Sequence, residues 1–254
     1  MSRGKSEERR IAERYAEVQE RIRRAALRAG RDPQGVRLVV VTKGQPLSRV
    51  QAVLAAGATD LGENYPEEAL AKMDALQRYD VRWHMIGHLQ RRKARLVIER
   101  FDWLHSLDRV KLAQRLERLA AAEKRALPVL LQFNVSGEAT KSGWPAWDET
   151  HWEDLLPELE KVLACTHLQI RGVMTIPPPT PDPEGARPYF RRLRRLRDFL
   201  AQRFPQALWD ELSMGMSADF EVAIEEGATF VRIGTAILGP RPPRPTPSPE
   251  THFG

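Results

Sequence analysis

Short apolar runs alternate with longer amphipathic ones along most of the chain, the pattern of strands interleaved with helices. A charged opening segment with apolar residues at helical spacing predicts a helix reaching about Ala29, and residues 36–41 (VRLVVV) read as a buried strand. Residues 47–57 then predict a helix closed by Gly57 at its C-terminus. Further strands are expected at 59–64, 81–87, 102–106, 128–136, 168–176, 210–215 and 229–235. Helices are expected at 66–79, 89–99, 108–125, 152–165, 187–204 and 217–227. Eight strands result, seven of them followed by a helix, behind one extra N-terminal helix.

Such alternation implies parallel βαβ units. Eight of them in 254 residues is the size of an α/β (β/α)8 TIM barrel, with its active site at the C-terminal ends of the strands. An open doubly wound sheet is the competitor. No GxGxxG follows the first strand and no GxxxxGK[ST] occurs, so its usual nucleotide signatures are missing. The expected organisation is one barrel domain over residues 1–240 and a proline-rich extended tail over 241–254.

Composition changes this picture in a few places. No apolar run approaches the ~20 residues of a membrane span, and the charged N-terminus does not read as a signal peptide, so a cytoplasmic protein is expected. Cys165 is the one cysteine, which excludes an internal disulfide and a multi-cysteine metal site. The net charge of +6 raises the question of nucleic acid. Thirty-two of the 40 basic residues are arginines, mostly interleaved with Glu and Asp at helical spacing, which favours solvated helix faces. In the run 191–197, the apolar residues Phe190, Leu193, Leu196 and Leu200 share one face and the arginines the other.

The candidate chemistry gathers at predicted strand ends. Lys43 closes the first strand, and period-2 alternation places it on the face of Val39 and Val41, over an apolar interior. Desolvation favours the neutral amine, the form that condenses with an aldehyde. Gly234 and Thr235 leave the eighth strand where backbone N–H groups and a hydroxyl suit a phosphate. Ser217 reads as the N-cap of the following helix, on a loop with Ser213 and Met214. Arg232 and Arg171 each sit among strand-forming apolar residues, where a charge needs a partner, and the spacing does not choose between them. Asn64 lies at the rim after strand 2. His84 and His88 lack the context of an HExxH zinc site, and His84 reads as a packed or hydrogen-bonded histidine. Lys141 is a possible rim cation.

Taken together, the segments VVTKG, GENY, WHMIGHLQ, SLDR, LLQFNVSGEATKSG, IRGVMTIP, LSMGMSADFEVAI and VRIGTAILG resemble the pyridoxal phosphate homeostasis protein family. That family's fold is similar to the N-terminal barrel of alanine racemase, PLP fold type III. The resemblance implies that Lys43 carries pyridoxal 5′-phosphate (PLP) as a Schiff base and that Arg232 stands beside the pyridine nitrogen. It places the phosphate on Ser217, Gly234 and Thr235 with Ser213, and Asn64, His84 and Met214 around the pocket. Two departures are visible: Arg92 stands where asparagine is expected, and Gly44 follows the lysine where threonine is common. An arginine at the ring nitrogen makes the cofactor a poor electron sink, and no second domain with an opposing tyrosine base is expected. The expected function is therefore a carrier with little or no turnover, acting in vitamin B6 and amino-acid homeostasis. Its partners are PLP and apo-enzyme acceptors, with no nucleic acid and no membrane, and it is expected to be a monomer. The alternatives are a PLP-dependent amino-acid racemase and a basic nucleic-acid-binding protein.

Overall fold

The computed structural model describes residues 2–242. The strands are β1 (Arg37–Val41), β2 (Asp60–Glu63), β3 (Arg82–Met85), β4 (Trp103–Leu107), β5 (Leu127–Asn134), β6 (Trp144–Pro145), β7 (Leu168–Met174), β8 (Glu211–Ser213) and β9 (Phe230–Ile233). All pair in parallel. Eight of them close in the order β1-β2-β3-β4-β5-β7-β8-β9, with β9 returning to β1. Parallel neighbours need crossovers, and the amphipathic segments supply them as an outer ring: α2 (Leu47–Ala55), α3 (Pro66–Ala75), α4 (Ala94–Arg100), α5 (Val110–Ala122), α6 (Leu156–Leu163), α7 (Arg187–Arg203) and α8 (Phe220–Glu225).

Alternation along each strand divides the core in two. Leu38, Val40, Val231 and Ile233 join the large core between strands and helices, whereas Val39, Leu130, Met174 and Phe230 meet inside the barrel. The interior is not apolar throughout. His84, His105, Ser213 and Arg232 are also buried on the inward-facing positions of their strands. Their charges and N–H groups must therefore be satisfied within the barrel.

The extra helix α1 (Ser2–Arg28) buries Ile11, Tyr15, Val18, Ile22 and Ala25 at spacings of three and four and lies against α2 and α8. Arg21 pairs with Glu221 and Arg28 with Glu225, tying it to α8. Helix α7 buries Phe190, Leu193, Leu196 and Leu200, as its spacing predicts. Its arginines are engaged: Arg187, Arg191 and Arg194 converge on Glu226, and Arg195 meets Glu149.

The structure departs from the sequence reading in four places. Residues 152–165 are not one α-helix, because a 3-10 segment, Glu149–Leu155, precedes α6 and Pro157 sits in the first turn of α6. A two-residue strand, β6, lies in the expected loop after β5 and pairs through Phe133 and Asn134. Ser217 is not the cap of α8. That position falls to Asp219, because a turn intervenes in which the Met216 N–H donates to Asp219 Oδ1 at 2.6 Å. A short helix α9 (Thr235–Leu238) follows β9 directly. The expected proline-rich tail lies outside the described residues from 243 onward.

Leu196→Ala removes a fully buried side chain between α7 and the barrel and is expected to cost about 2–5 kcal/mol. Arg195→Gln on the opposite face is expected to change stability by under about 0.5 kcal/mol. Urea denaturation of the two variants checks the assignment of core and solvent faces.

Candidate functional site

The strand ends of β1 and β9 and the loop between β8 and α8 frame a cavity of about 290 Å³. Six of the nine predicted residues line it: Lys43, Asn64, Ser217, Arg232, Gly234 and Thr235. Ser213 and His84 lie deeper in the barrel. Met214 does not face the cavity, because alternation turns its side chain into the outer core while Ser213 points inward. Arg171 lies half-buried in the middle of β7, outside the cavity lining. Lys141 reaches Pro177 O at 3.4 Å and stays away from the lining.

Lys43 follows β1 by two residues, and its neighbours on both sides are tied down. Buried Lys72 on α3 donates to Thr42 O and Glu63 Oε1, each at 2.7 Å, and to Glu68 Oε1 at 2.9 Å. The Thr42 hydroxyl donates to Glu63 Oε1 at 2.6 Å, and the Gly44 N–H to Glu68 Oε1 at 2.6 Å. This knot of ion pair and backbone fixes the loop that presents the lysine. Burial lowers the Lys43 pKa, and the cations Arg241 and Arg232 lower it further. Those effects favour the free amine, the nucleophilic form.

Arg232 is buried on β9. Its Nη1 donates to Ser213 Oγ at 2.5 Å and its Nη2 to Thr175 O at 2.8 Å. Among the described residues no carboxylate lies within ion-pair distance of it. Burial pushes its pKa down to about 10, so the guanidinium remains charged at neutral pH. A buried cation whose protein partners are all neutral acceptors leaves positive potential facing the cavity.

The remaining lining is mixed. The Ser217 hydroxyl accepts the Ala236 N–H at 3.4 Å, which brings the β8–α8 loop against the start of α9 beside Thr235. Asn64 is held by close approach: a Cβ on Gly87 would lie 2.5 Å from Asn64 O. Ile86, Ile176 and Met216 supply apolar walls.

Arg241 is a lining residue that sequence reasoning assigned to the tail. The Gln45 side chain donates to Gly239 O at 3.1 Å and Arg49 to Pro240 O at 2.8 Å, strapping the segment after α9 onto the β1–α2 loop. Gly44, in the left-handed region at φ 66°, leaves room for it, since a Cβ there would meet Arg241 Cδ at 3.1 Å. Proline-rich composition concealed this strap. The departure Arg92 lies exposed on a 3-10 turn, its Nε donating to Gln90 Oε1 at 3.1 Å. Among the described residues no cluster of three or more His, Cys, Asp or Glu is placed to hold a metal. Burial pushes the Cys165 thiol up to about 11, away from reactive thiolate.

Burial holds both His84 and His105 below the ordinary imidazole range. The unfolded chain therefore takes up protons below about pH 6.5 that the folded chain refuses. Stability is full above that pH and falls towards pH 5, by up to about 1.4 kcal/mol per pH unit for each imidazole. Urea unfolding across pH 7.5 to 5 is expected to show this slope, reduced in His105→Leu; an unchanged slope in the variant contradicts the assignment.

Residues 14–242 match the family model described as alanine racemase, N-terminal domain. The pyridoxal phosphate homeostasis protein of Pseudomonas aeruginosa is 47% identical over 231 residues, covering 91% of this chain and 96% of the relative. The protein of that name from Aquifex aeolicus is 42% identical over 90% of this chain and 97% of its own. Among solved structures, PipY of Synechococcus elongatus with PLP bound has a TM-score of 0.77 and 37% identity, covering 90% of this chain and all of its own. Alanine racemase from Bartonella henselae, at 15% identity and a TM-score of 0.66 over 94% of this chain and 62% of its own, shares the fold. The chain belongs to the pyridoxal phosphate homeostasis protein family, built on the alanine racemase N-terminal barrel.

Proposed function

We propose that this protein binds pyridoxal 5′-phosphate in the cavity at the strand ends, attaches it to Lys43, and serves as a carrier in PLP and amino-acid homeostasis with little or no turnover. The observation that carries the reading is the donor set: Lys43, Arg232 and Arg241 face one cavity with no carboxylate among its described lining residues. Such a site favours an anion joined to an amine-reactive group. PLP supplies an aldehyde that condenses with a primary amine.

In this reading each residue has a task. The loop fixed by Lys72, Glu63 and Glu68 would present Lys43 as the desolvated primary amine, and the bound aldehyde would supply the carbonyl with which such an amine condenses with loss of water. Ser217, Thr235 and the backbone at Gly234 hold the phosphate, with Arg241 as a further cation above it. Arg232 has only N–H groups to offer, so it would meet a ring nitrogen as a donor and would favour that nitrogen's unprotonated form. Ser213 acts one step back by holding Arg232, and His84 lies beneath both.

The low-turnover part rests on what Lys43 lacks. Racemisation requires acid and base groups on opposite faces of one carbon. Among the described lining residues Lys43 alone is a group of that kind. Tyr65, the tyrosine nearest the rim in sequence, is exposed at 50% and outside the lining. Among the described residues no helix is long and apolar enough to cross a membrane. The α7 arginines are paired with carboxylates of the same chain, which weighs against a nucleic-acid partner; a cytoplasmic monomer that passes PLP to apo-enzyme acceptors is part of the proposal.

Incubation with PLP followed by borohydride is expected to fix one pyridoxyl group on Lys43, identified by peptide mass spectrometry. Lys43→Ala is expected to abolish that label, and wild type is expected to exchange the α-hydrogen of amino acids no faster than free PLP. A label on another lysine with Lys43 unmodified overturns the site, and enzyme-like exchange overturns the carrier reading. Ser217→Ala with Thr235→Val is expected to weaken PLP binding by about ten- to a hundredfold, read by fluorescence titration.

A further inference from the structure

Beneath the cavity a continuous line of buried polar side chains crosses the barrel interior. Arg82 donates to the Asp60 carboxylate at the start of β2, at 2.7 and 2.9 Å. His84 Nε2 lies 2.9 Å from Asp60 Oδ1, and His84 Nδ1 lies 2.9 Å from His105 Nε2. His105 Nδ1 lies 2.9 Å from Ser213 Oγ, which receives Arg232 Nη1 at 2.5 Å. Every link is within hydrogen-bond distance, and His84, His105 and Ser213 are fully buried. The proposed function uses the last two members, Ser213 and Arg232, and leaves Asp60, His84 and His105 without a task.

Donor and acceptor rules fix the protons along this line. An ionised carboxylate only accepts, so Asp60 requires the proton of His84 on Nε2. A neutral His84 then presents Nδ1 as an acceptor, which requires the proton of His105 on Nε2. His105 Nδ1 in turn accepts from the Ser213 hydroxyl, and the Ser213 oxygen is left with only lone pairs for Arg232. The rings are boxed in by Trp103 and Phe230: His105 to Phe230 centroids are 4.9 Å apart, and His84 stacks on Trp103 at 6.1 Å. The charged groups acting on the pair are Asp60 and Asp102 on one side and the cations Arg37 and Arg232 on the other. Burial and both cations disfavour an imidazolium, so the neutral pattern is the self-consistent one.

We infer that Asp60, His84 and His105 are positioning residues whose fixed tautomers lock the Ser213 hydroxyl as an acceptor and so aim the guanidinium of Arg232 at the cofactor site. Resting on the PLP reading, this adds a device beneath the pocket that sets how the ring end of the ligand is met. Without it the Ser213 hydroxyl proton has no fixed acceptor, and the oxygen's lone pairs are no longer held at one position against Arg232. The guanidinium would then keep Thr175 O as its one fixed acceptor and lose its orientation.

Two measurements test the chain separately from the cofactor. Long-range 1H–15N spectra of the ligand-free protein, assigned with His→Gln variants, are expected to show His84 and His105 both neutral with the proton on Nε2. A proton on Nδ1 of either ring, or an imidazolium, overturns the inference. The second uses pyridoxamine 5′-phosphate, which has no aldehyde and so binds without reaction at Lys43. Ser213→Ala and His105→Leu are each expected to weaken it on the order of tenfold, and the double variant no more than either single one. A purely structural role predicts that the losses multiply, and that result, or no loss in Ser213→Ala, overturns the inference. If wild type binds neither this probe nor PLP, the function proposed above fails, while the tautomers still decide the chain.

Discussion

A permanent cation buried inside a closed barrel is the constraint on which the rest depends. Arg232 cannot shed its charge at neutral pH, and its protein partners are a hydroxyl and a carbonyl. Burying such a charge without an ion pair costs several kcal/mol unless its donors are met and an anion or polar ligand faces it. The fold answers on both sides. Below, the Ser213 hydroxyl and Thr175 carbonyl hold two N–H groups. Above, the guanidinium faces a cavity rich in cations and hydroxyls, suited to an anionic ligand.

The same constraint bears on reactivity. Arg232 and Arg241 press on Lys43 by charge while burial strips it of water, and all three effects shift it towards the free amine. The Glu63–Lys72 pair lies on the far side of β2 and holds the backbone around Thr42 in place. The Glu63 and Glu68 charges pull the Lys43 amine the other way, and burial with the two arginines outweighs them. A desolvated amine and a buried cation thus line one cavity, the pairing on which the proposed carrier function rests.

Much of this was legible in the sequence, for identifiable reasons. Period-2 alternation through Val39 and Val41 places Lys43 on the interior side, and helical spacing assigns Leu193 and Leu196 to the core face of α7. Other features were hidden because they arise between segments distant in the chain. Alternation alone shows that Met214 and Ser213 face opposite ways, whereas the family resemblance places both at the pocket. Ser217 resembles a cap by type, but the turn that displaces it depends on Asp219 accepting the Met216 N–H. The strap carrying Arg241 depends on Gln45 and Arg49, nearly two hundred residues earlier. The line from Asp60 to Arg232 draws on β2, β3, β4, β8 and β9, and only closure of the barrel brings those side chains together.

In the proposed function one cavity gathers the Lys43 amine, the buried Arg232 cation and the Ser217 and Thr235 hydroxyls around a single ligand. A crystal structure of the protein grown with pyridoxal 5′-phosphate tests it most directly. Electron density is expected to run continuously from Lys43 Nζ into the ligand, with the phosphate against Ser217 and Thr235 and the pyridine nitrogen facing Arg232. A ligand reversed in the cavity, or bound elsewhere with Lys43 free, would contradict it.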